Sequence, residues 1–245
     1  MKIFAIIEAR MTSSRLPGKV ILPVLEKPLL HYLVSRLRRV PSLDGIALAT
    51  TSNQTDEPLR RFAKSESIAC FSGSEDDVMG RVIDTAEYTS SDLIVEVTGD
   101  NPIIDPEVVE LAIRTYLAND VNYVANSHVR SYPVGMDVQV FSLGTLKRSA
   151  CQTSSPLDRE HVTMHIRKHP ELFSHLNIIA PPSLHWPELS LTLDEVKDYE
   201  LLTHVILNFA ATNNIFFGCG DAIRFLQNRP DLVAINNSVI RTWEK

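Results

Sequence analysis

Ile3-Phe4-Ala5-Ile6-Ile7-Glu8-Ala9-Arg10-Met11-Thr12-Ser13-Ser14-Arg15-Leu16-Pro17-Gly18-Lys19 is the stretch on which the reading of the whole chain turns. Its first part is a short apolar, β-rich run, as expected of a strand buried on both faces of a parallel sheet. Its second part places three cations, Arg10, Arg15 and Lys19, at that strand's carboxyl end. Arginine offers planar, bidentate contacts to phosphate oxygens and lysine a mobile point charge, while Thr12-Ser13-Ser14 adds hydroxyls and backbone N–H groups. The loop therefore reads as a polyphosphate cradle, although a solvated basic surface loop has the same composition. It contains neither GxxxxGK[ST] nor GxGxxG, so it is neither a P-loop nor a dinucleotide fingerprint.

Outward from this segment the chain alternates. Ile46 to Ala49 and Leu93 to Val97 repeat the buried-strand pattern. Between them, Leu30, Leu33, Val34 and Leu37 recur at helical spacing after Pro28, and 58–66 and 78–87 are similar. Such βαβα alternation predicts an α/β fold, a doubly wound and mostly parallel sheet flanked by helices, with ligands bound beyond the carboxyl ends of the strands. A helix is expected over 106–117 and a fourth strand over 121–125. Beyond these, 137–141 reads as a strand, 158–168 as a helix, and 189–193 as an apolar strand leading into a helix over 195–211. A helical tail over 221–241 is broken by Pro230. The simplest organisation is one nucleotide-handling domain over 1–215 with a C-terminal helical extension over 216–245.

A chain of 245 residues can bury a large core without metal or disulfide staples. Its 44% hydrophobic and 22% charged residues are those of a folded globular protein. A net charge of −6 argues against a nucleic-acid-binding role, which calls for a clustered basic excess. Cys70, Cys151 and Cys219 are too far apart for a metal knuckle or a disulfide framework and read as reduced, mostly buried thiols. No apolar stretch is long enough for a membrane span or a signal peptide, which makes a cytoplasmic protein without membrane partners the expectation.

Two carboxylates stand where a metal would be needed. Val97-Thr98-Gly99-Asp100-Asn101-Pro102 ends the third strand, and an aspartate beside a glycine that permits close backbone approach suits Mg²⁺ held against phosphates. An Asx turn joining strand to helix would look the same. In Leu191-Thr192-Leu193-Asp194-Glu195, Asp194 lies between an apolar run and a helix, a position that also suits an N-cap.

These blocks resemble the cytidylyltransferase family that includes acylneuraminate and 3-deoxy-manno-octulosonate cytidylyltransferases, and especially its SpsF-like branch, named for a spore-coat polysaccharide biosynthesis protein. Ile-Ile-Glu-Ala-Arg-Met-Thr-Ser-Ser-Arg-Leu-Pro-Gly-Lys resembles the family's opening signature, with Glu8 where that branch usually has glutamine. Gly99-Asp100-Asn101-Pro102 resembles its Gly-Asp-x-Pro motif. Leu191 to Glu195 resembles its later aspartate motif, with Val196 replacing a proline. The resemblance implies a nucleotide-diphospho-sugar transferase-like fold and Mg²⁺-dependent transfer from CTP to a sugar or sugar acid with release of pyrophosphate. It implies that Ala9, Arg10, Met11, Ser14, Arg15, Gly18 and Lys19 wrap the triphosphate. Asp100 and Asp194 would hold the metal, and Arg10, Lys19 and Asp100 would carry catalysis.

Two further blocks resemble the same branch. Phe71 to Val78 would offer Ser74 and Asp77 to base or ribose. Tyr132-Pro133-Val134-Gly135-Met136-Asp137-Val138 would face the sugar through Tyr132, Gly135 and Asp137. Without the resemblance these read as a capping turn and a glycine bend. Arg159-Glu160-His161 resembles a segment near the sugar, where Arg159 suits a substrate carboxylate. His161, His165 and His169 would share one helix face. HExxH needs glutamate after the first histidine and HxxEH a histidine where Leu157 stands, so a structural helix is favoured over zinc. Related proteins commonly form homodimers, which makes a dimer the expectation here. The competing functions are a pyrophosphorylase using another nucleotide, a glycosyltransferase and a non-catalytic nucleotide-binding protein. A glycosyltransferase has less need of a triphosphate cradle.

Overall fold

The computed structural model describes residues 1–239. β1 (Ile3–Glu8) leads through the basic loop into a two-stranded hairpin, β2 (Pro23–Val24) and β3 (Lys27–Pro28), and then α1 (Leu29–Leu37). β4 (Gly45–Thr51), α2 (Glu57–Ser65), β5 (Ala69–Gly73), α3 (Val78–Thr89), β6 (Leu93–Thr98) and α4 (Pro106–Leu117) complete the regular half. β7 (Tyr123–Ala125), β8 (Gln139–Ser142), α5 (Leu143–Gln152), α6 (Pro156–Glu160), α7 (Met164–Lys168) and β9 (His175–Asn177) follow. α8 (Val196–Ala211), α9 (Cys219–Gln227) and α10 (Pro230–Val233) close the described chain.

Seven strands form one sheet in the order β5-β4-β1-β6-β8-β7-β9. β1 pairs in parallel with both β4 and β6, whereas β8 runs antiparallel to β6 and to β7. The chain leaves β1 toward β5 on one side and resumes at β6 on the other. The carboxyl ends of β1 and β6 therefore flank a switch point, where open α/β sheets bind ligands.

Side chains of β1 alternate between two cores, as strand geometry requires. Ala5 and Ile7 join a cluster with α1, α4, α8 and α9, and Ile6 joins a second with α3, α5 and α7. The sheet is thus covered on both faces, which explains why its central strands are continuous apolar runs. Cys219, Ala222, Ile223, Leu226 and Leu232 of the C-terminal extension belong to the first cluster. Arg36, 2% exposed, ties this extension to α1 by donating to Phe217 O at 2.8 Å and Ile215 O at 3.1 Å.

Several sequence expectations are corrected. The helix expected over 158–168 is two short helices, α6 and α7, separated by a break in which Val162 adopts φ 34. His161 therefore lies in the break, off the helix that carries His165. Residues 189–193 do not form a strand and contribute only an isolated parallel bridge, Val134 with Ser190. The helical tail is broken at Pro230 as expected, into α9 and α10, and its expected end at Arg241 lies outside the described residues. Of the three cysteines only Cys219 is buried, and Cys151 is exposed.

Candidate active site

The loop after β1 is pinned from below. Asp56, fully buried, accepts hydrogen bonds from Met11 N at 2.8 Å, Thr51 Oγ1 at 2.6 Å, Thr51 N at 3.0 Å and Thr50 Oγ1 at 2.9 Å. Burial alone would push the Asp56 carboxyl up, but these donors outweigh it and hold the pKa below the ordinary range. Gly18 N closes the loop onto Met11 O at 2.9 Å, and Gly18 sits at φ +70, a conformation that favours glycine. Val20, 2% exposed, anchors the loop's far side in the core.

Gly99 allows the ends of β1 and β6 to close on each other. A Cβ there would lie 3.0 Å from Ala9 Cβ and 3.1 Å from Glu8 O. The segments carrying the two aspartates are stitched together as well, because Asp100 O accepts from Leu193 N at 2.8 Å and Thr192 Oγ1 at 3.2 Å. Residues about 90 positions apart in sequence thus present their carboxylates to one crevice.

Lys19 Nζ lies at the centre, 2.7 Å from Asp100 Oδ2 and 2.9 Å from Asp194 Oδ1. Arg15 Nη2 reaches Asp194 Oδ1 at 2.8 Å, and Thr98 Oγ1 donates to Asp100 Oδ1 at 2.6 Å. Burial would lower the Lys19 pKa, yet the charges of Asp100 and Asp194 prevail and hold it above the usual lysine range. Two carboxylates converging on one ammonium form a point that a hard cation can occupy. Mg²⁺ takes one or two protein carboxylates when phosphates and waters complete its octahedron, so this donor pair fits it. Among the described residues no group of three or more His, Cys, Asp or Glu side chains is placed to hold a metal, and the three-histidine reading falls with the helix that carried it.

The crevice encloses about 350 Å³ and is lined by Glu8, Ala9, Arg10, Ser13, Ser14, Arg15, Lys19, Val20, Val78, Arg81, Thr98, Gly99, Asp100, Glu160, His161 and Asp194. Ala9, Arg10, Ser14, Arg15, Lys19, Asp100, Asp194 and His161 are thus brought together. Met11 and Gly18 shape the loop through their backbones. Asp194 does not cap α8, as its spacing suggested it could. Glu195 is the N-cap, in a capping box with Asp198, which leaves the Asp194 carboxylate to the crevice.

Ser74 and Asp77 form a cap. Asp77 N donates to Ser74 Oγ at 3.0 Å, and Asp77 Oδ1 accepts from Gly80 N at 2.8 Å. Asp77 also pairs with Arg159, joining a residue expected near the nucleotide to one expected near the sugar. Tyr132, 2% exposed, is part of the main core, and Gly135 packs on the Leu191 backbone, where a Cβ would meet the Leu191 carbonyl carbon at 2.6 Å. Asp137 opens into a second, smaller pocket of about 180 Å³ with Glu96, Thr98, Asn101, Ser127, Arg130, Gln139 and Arg167. Thr98 lines both cavities.

Three residues that matter here, Glu75, Arg81 and Glu96, were not singled out by the sequence, and Glu8 was noted only as a departure from the family signature. Glu75 holds Arg10 at 3.4 Å and accepts from Thr12 Oγ1 at 2.5 Å. Arg81, 3% exposed, turns to the crevice from α3, its Nε without a hydrogen-bond partner among the described residues. Glu8 and Glu96 form a carboxyl pair between the two cavities, and one buried oxygen of each has no hydrogen-bond partner among the described residues. Burial pushes both up, Glu96 further because Glu8 adds its negative charge, while Arg81 pulls Glu8 down and Arg167 pulls Glu96 down. An acidic residue inside an apolar strand was the available signal for Glu96. Glu75 had none, since its partners Arg10 and Thr12 are distant in sequence, and Arg81, which donates to the nearby Ser74 O, had none either.

Known proteins resemble this chain in sequence and in fold. The spore coat polysaccharide biosynthesis protein SpsF of Bacillus subtilis is 31% identical over 94% of this chain and 95% of its own length. A cytidylyltransferase from Leptospira borgpetersenii serovar Hardjo-bovis superposes with a TM-score of 0.91 at 29% identity, covering 98% of this chain and 99% of its own. The 3-deoxy-manno-octulosonate cytidylyltransferase of Geobacter metallireducens matches at 30% identity over 49% of this chain and 46% of its length. The sequence model described as cytidylyltransferase matches residues 4–213, which span β1, the basic loop, both aspartates and all of α8. This chain, a nucleotidyltransferase by fold and by sequence, belongs to the cytidylyltransferase family.

Proposed function

We propose that this protein uses Mg²⁺ to transfer a cytidylyl group from CTP to a hydroxyl of a sugar or sugar acid, releasing pyrophosphate, in the synthesis of a surface polysaccharide or glycan. The observation that carries this reading is the convergence of Lys19 and Arg15 on Asp100 and Asp194 at the switch point of the sheet. Incoming phosphates compete for Arg10, Arg15 and Lys19 and free the two carboxylates. Mg²⁺ on Asp100 and Asp194 would neutralise charge at the α-phosphate and favour ionisation of the attacking hydroxyl. The acceptor oxygen bonds to the α-phosphorus, the bond to the β-phosphate oxygen breaks, and the hydroxyl proton passes to solvent. Positioning and charge neutralisation then account for most of the catalysis.

In this reading Ala9 to Lys19 wrap the triphosphate, and the Ser74–Asp77 turn lies on the side of base and ribose. The acceptor occupies the pocket of Asp137, which shares Thr98 with the crevice that His161 lines, while the Arg159–Asp77 pair, Tyr132 and Gly135 stand outside the lining of that pocket. Arg130 and Arg167 line that pocket and suit a substrate carboxylate, the role that Arg159 was expected to fill. A cytoplasmic homodimer belongs to the same proposal, and light scattering that read the mass of a single chain would remove it. Pyrophosphate release from CTP and Mg²⁺, measured across a panel of sugar acids and neutral sugars, tests the reaction. Release with CTP and a sugar acid supports it. Release of a nucleoside diphosphate from a nucleotide sugar would favour a glycosyltransferase.

A further inference from the structure

The C-terminal extension reaches the candidate metal site through a buried chain of hydrogen bonds. Asn236, 4% exposed, follows α10, and its Nδ2 donates to Asp198 Oδ1 at 2.8 Å and to Ser190 O at 3.0 Å. Asp198 is fully buried in the first turn of α8. Its other oxygen, Oδ2, accepts from Asp194 N at 3.0 Å and Glu195 N at 2.9 Å. One carboxylate thus faces the tail with one oxygen and the backbone of Asp194 with the other. The N-terminus of α8 favours a negative charge at this position.

We propose that Asn236 is a positioning residue for Asp194: it fixes the Asp198 carboxylate, which fixes the backbone from which Asp194 projects into the crevice. This rests on the reading of Asp194 as a metal ligand. The physical reason is the cost of a buried carboxylate oxygen that loses a donor, which drives Asp198 to rotate or shift toward other partners. A shift at Oδ2 carries the Asp194 and Glu195 N–H groups with it. Val134 and Ser190, joined by the isolated bridge, form the other wall of the same anchor, because Asn236 also holds Ser190 O. The extension therefore does more than cover apolar surface, although Leu232, 4% exposed, does that too.

The test measures Mn²⁺ affinity in the presence of CTP by calorimetry or electron paramagnetic resonance, beside CTP affinity without metal and thermal stability. Partners that orient metal ligands typically change metal affinity 10–100-fold when mutated, and for this indirect arrangement we expect about 10-fold for Asn236→Ala. Metal-free CTP affinity should stay within about two-fold, since the phosphate cations are untouched. Asn236→Gln, which keeps the side-chain amide donor, is the milder variant should Asn236→Ala not fold, and it should lose less. Leu232→Ala is the control for tail docking. If it lowers stability as much as the Asn236 variants and weakens Mn²⁺ equally, Asn236 is only structural and the proposal fails. Asp194→Asn separates the two readings. If it weakens Mn²⁺ while the Asn236 variants do not, this inference alone is overturned, and if it leaves Mn²⁺ affinity unchanged, both fall.

Discussion

The crevice at β1 and β6 and the pocket beside it use the same residue types in opposite ways. In the crevice every aspartate touches a cation: Lys19 lies between Asp100 and Asp194, and Arg15 adds a second contact to Asp194. Side-chain exposure there ranges from 8% at Asp194 to 32% at Arg15, so water and ligands can reach the pairs. In the pocket, burial pushes Glu96 and Asp137 up against the pull of Arg167 and Arg130. The crevice stores charge in pairs that an anionic ligand and a metal can exchange. The pocket sets buried carboxyls, Asp137 lying 3.5 Å from Arg130, beside arginines that can meet a negative group. A nucleotide with its metal on one side and a hydroxylated, acidic acceptor on the other match this division.

The largest effect expected from breaking it is at Asp100. Asp100→Asn keeps the shape of the side chain and its contact with Thr98 but removes the charge that meets Lys19, and turnover should fall on the order of 1,000-fold with the fold intact. Steady-state kinetics with circular dichroism reads this, and unchanged turnover would remove Asp100 from the metal site. Lys19→Ala comes next, at roughly 100-fold in kcat/KM for CTP, because it deletes one phosphate contact and leaves two carboxylates to repel each other. Equal kinetics for variant and wild type would show that the ion pairs are only structural.

The pocket is sharpened by pH rather than by rate. A folded-state pKa above the unfolded value means that protonation of Glu8 and Glu96 stabilises the protein fully below the ordinary carboxylate range. That contribution is lost as pH rises through the raised value. Glu96→Gln keeps a donor for Glu8 and should flatten the decline, leaving the variant roughly 3 °C more stable than wild type at the alkaline end. Parallel melting curves across pH would argue against that protonation. The smallest effect belongs to Arg10→Ala, whose partner Glu75 is 3.4 Å away and whose side chain is 40% exposed. Stability should move by less than about 0.5 kcal/mol, with the loss confined to a several-fold rise in KM for CTP.

Much of this was legible in the chain, for reasons that differ by region. β1, β4 and β6 lie at the centre of the sheet and are covered on both faces, so their apolar runs stood out. β5, an edge strand whose residues are all partly exposed, reads Ala-Cys-Phe-Ser-Gly and gave no such signal. The reversal of β8 is set by its register with β6, which local sequence does not encode. Val162 at φ 34 breaks the expected helix without a glycine or proline to announce it. In the crevice the cations were visible because they follow a strand closely, and the aspartates because each ends an apolar run. Glu75 and the Asn236–Asp198 link were not, because each joins segments that only the fold brings together.

The most direct test of the central claim is calorimetric titration of wild-type protein and Lys19→Ala with CTP, UTP, ATP and GTP, each with and without Mg²⁺. The account predicts that CTP binds selectively, that Mg²⁺ tightens binding, and that Lys19→Ala weakens it by about 100-fold. Binding that ignores Mg²⁺ and Lys19, or that is absent for every nucleotide, would contradict the account and leave the crevice without its assigned ligand.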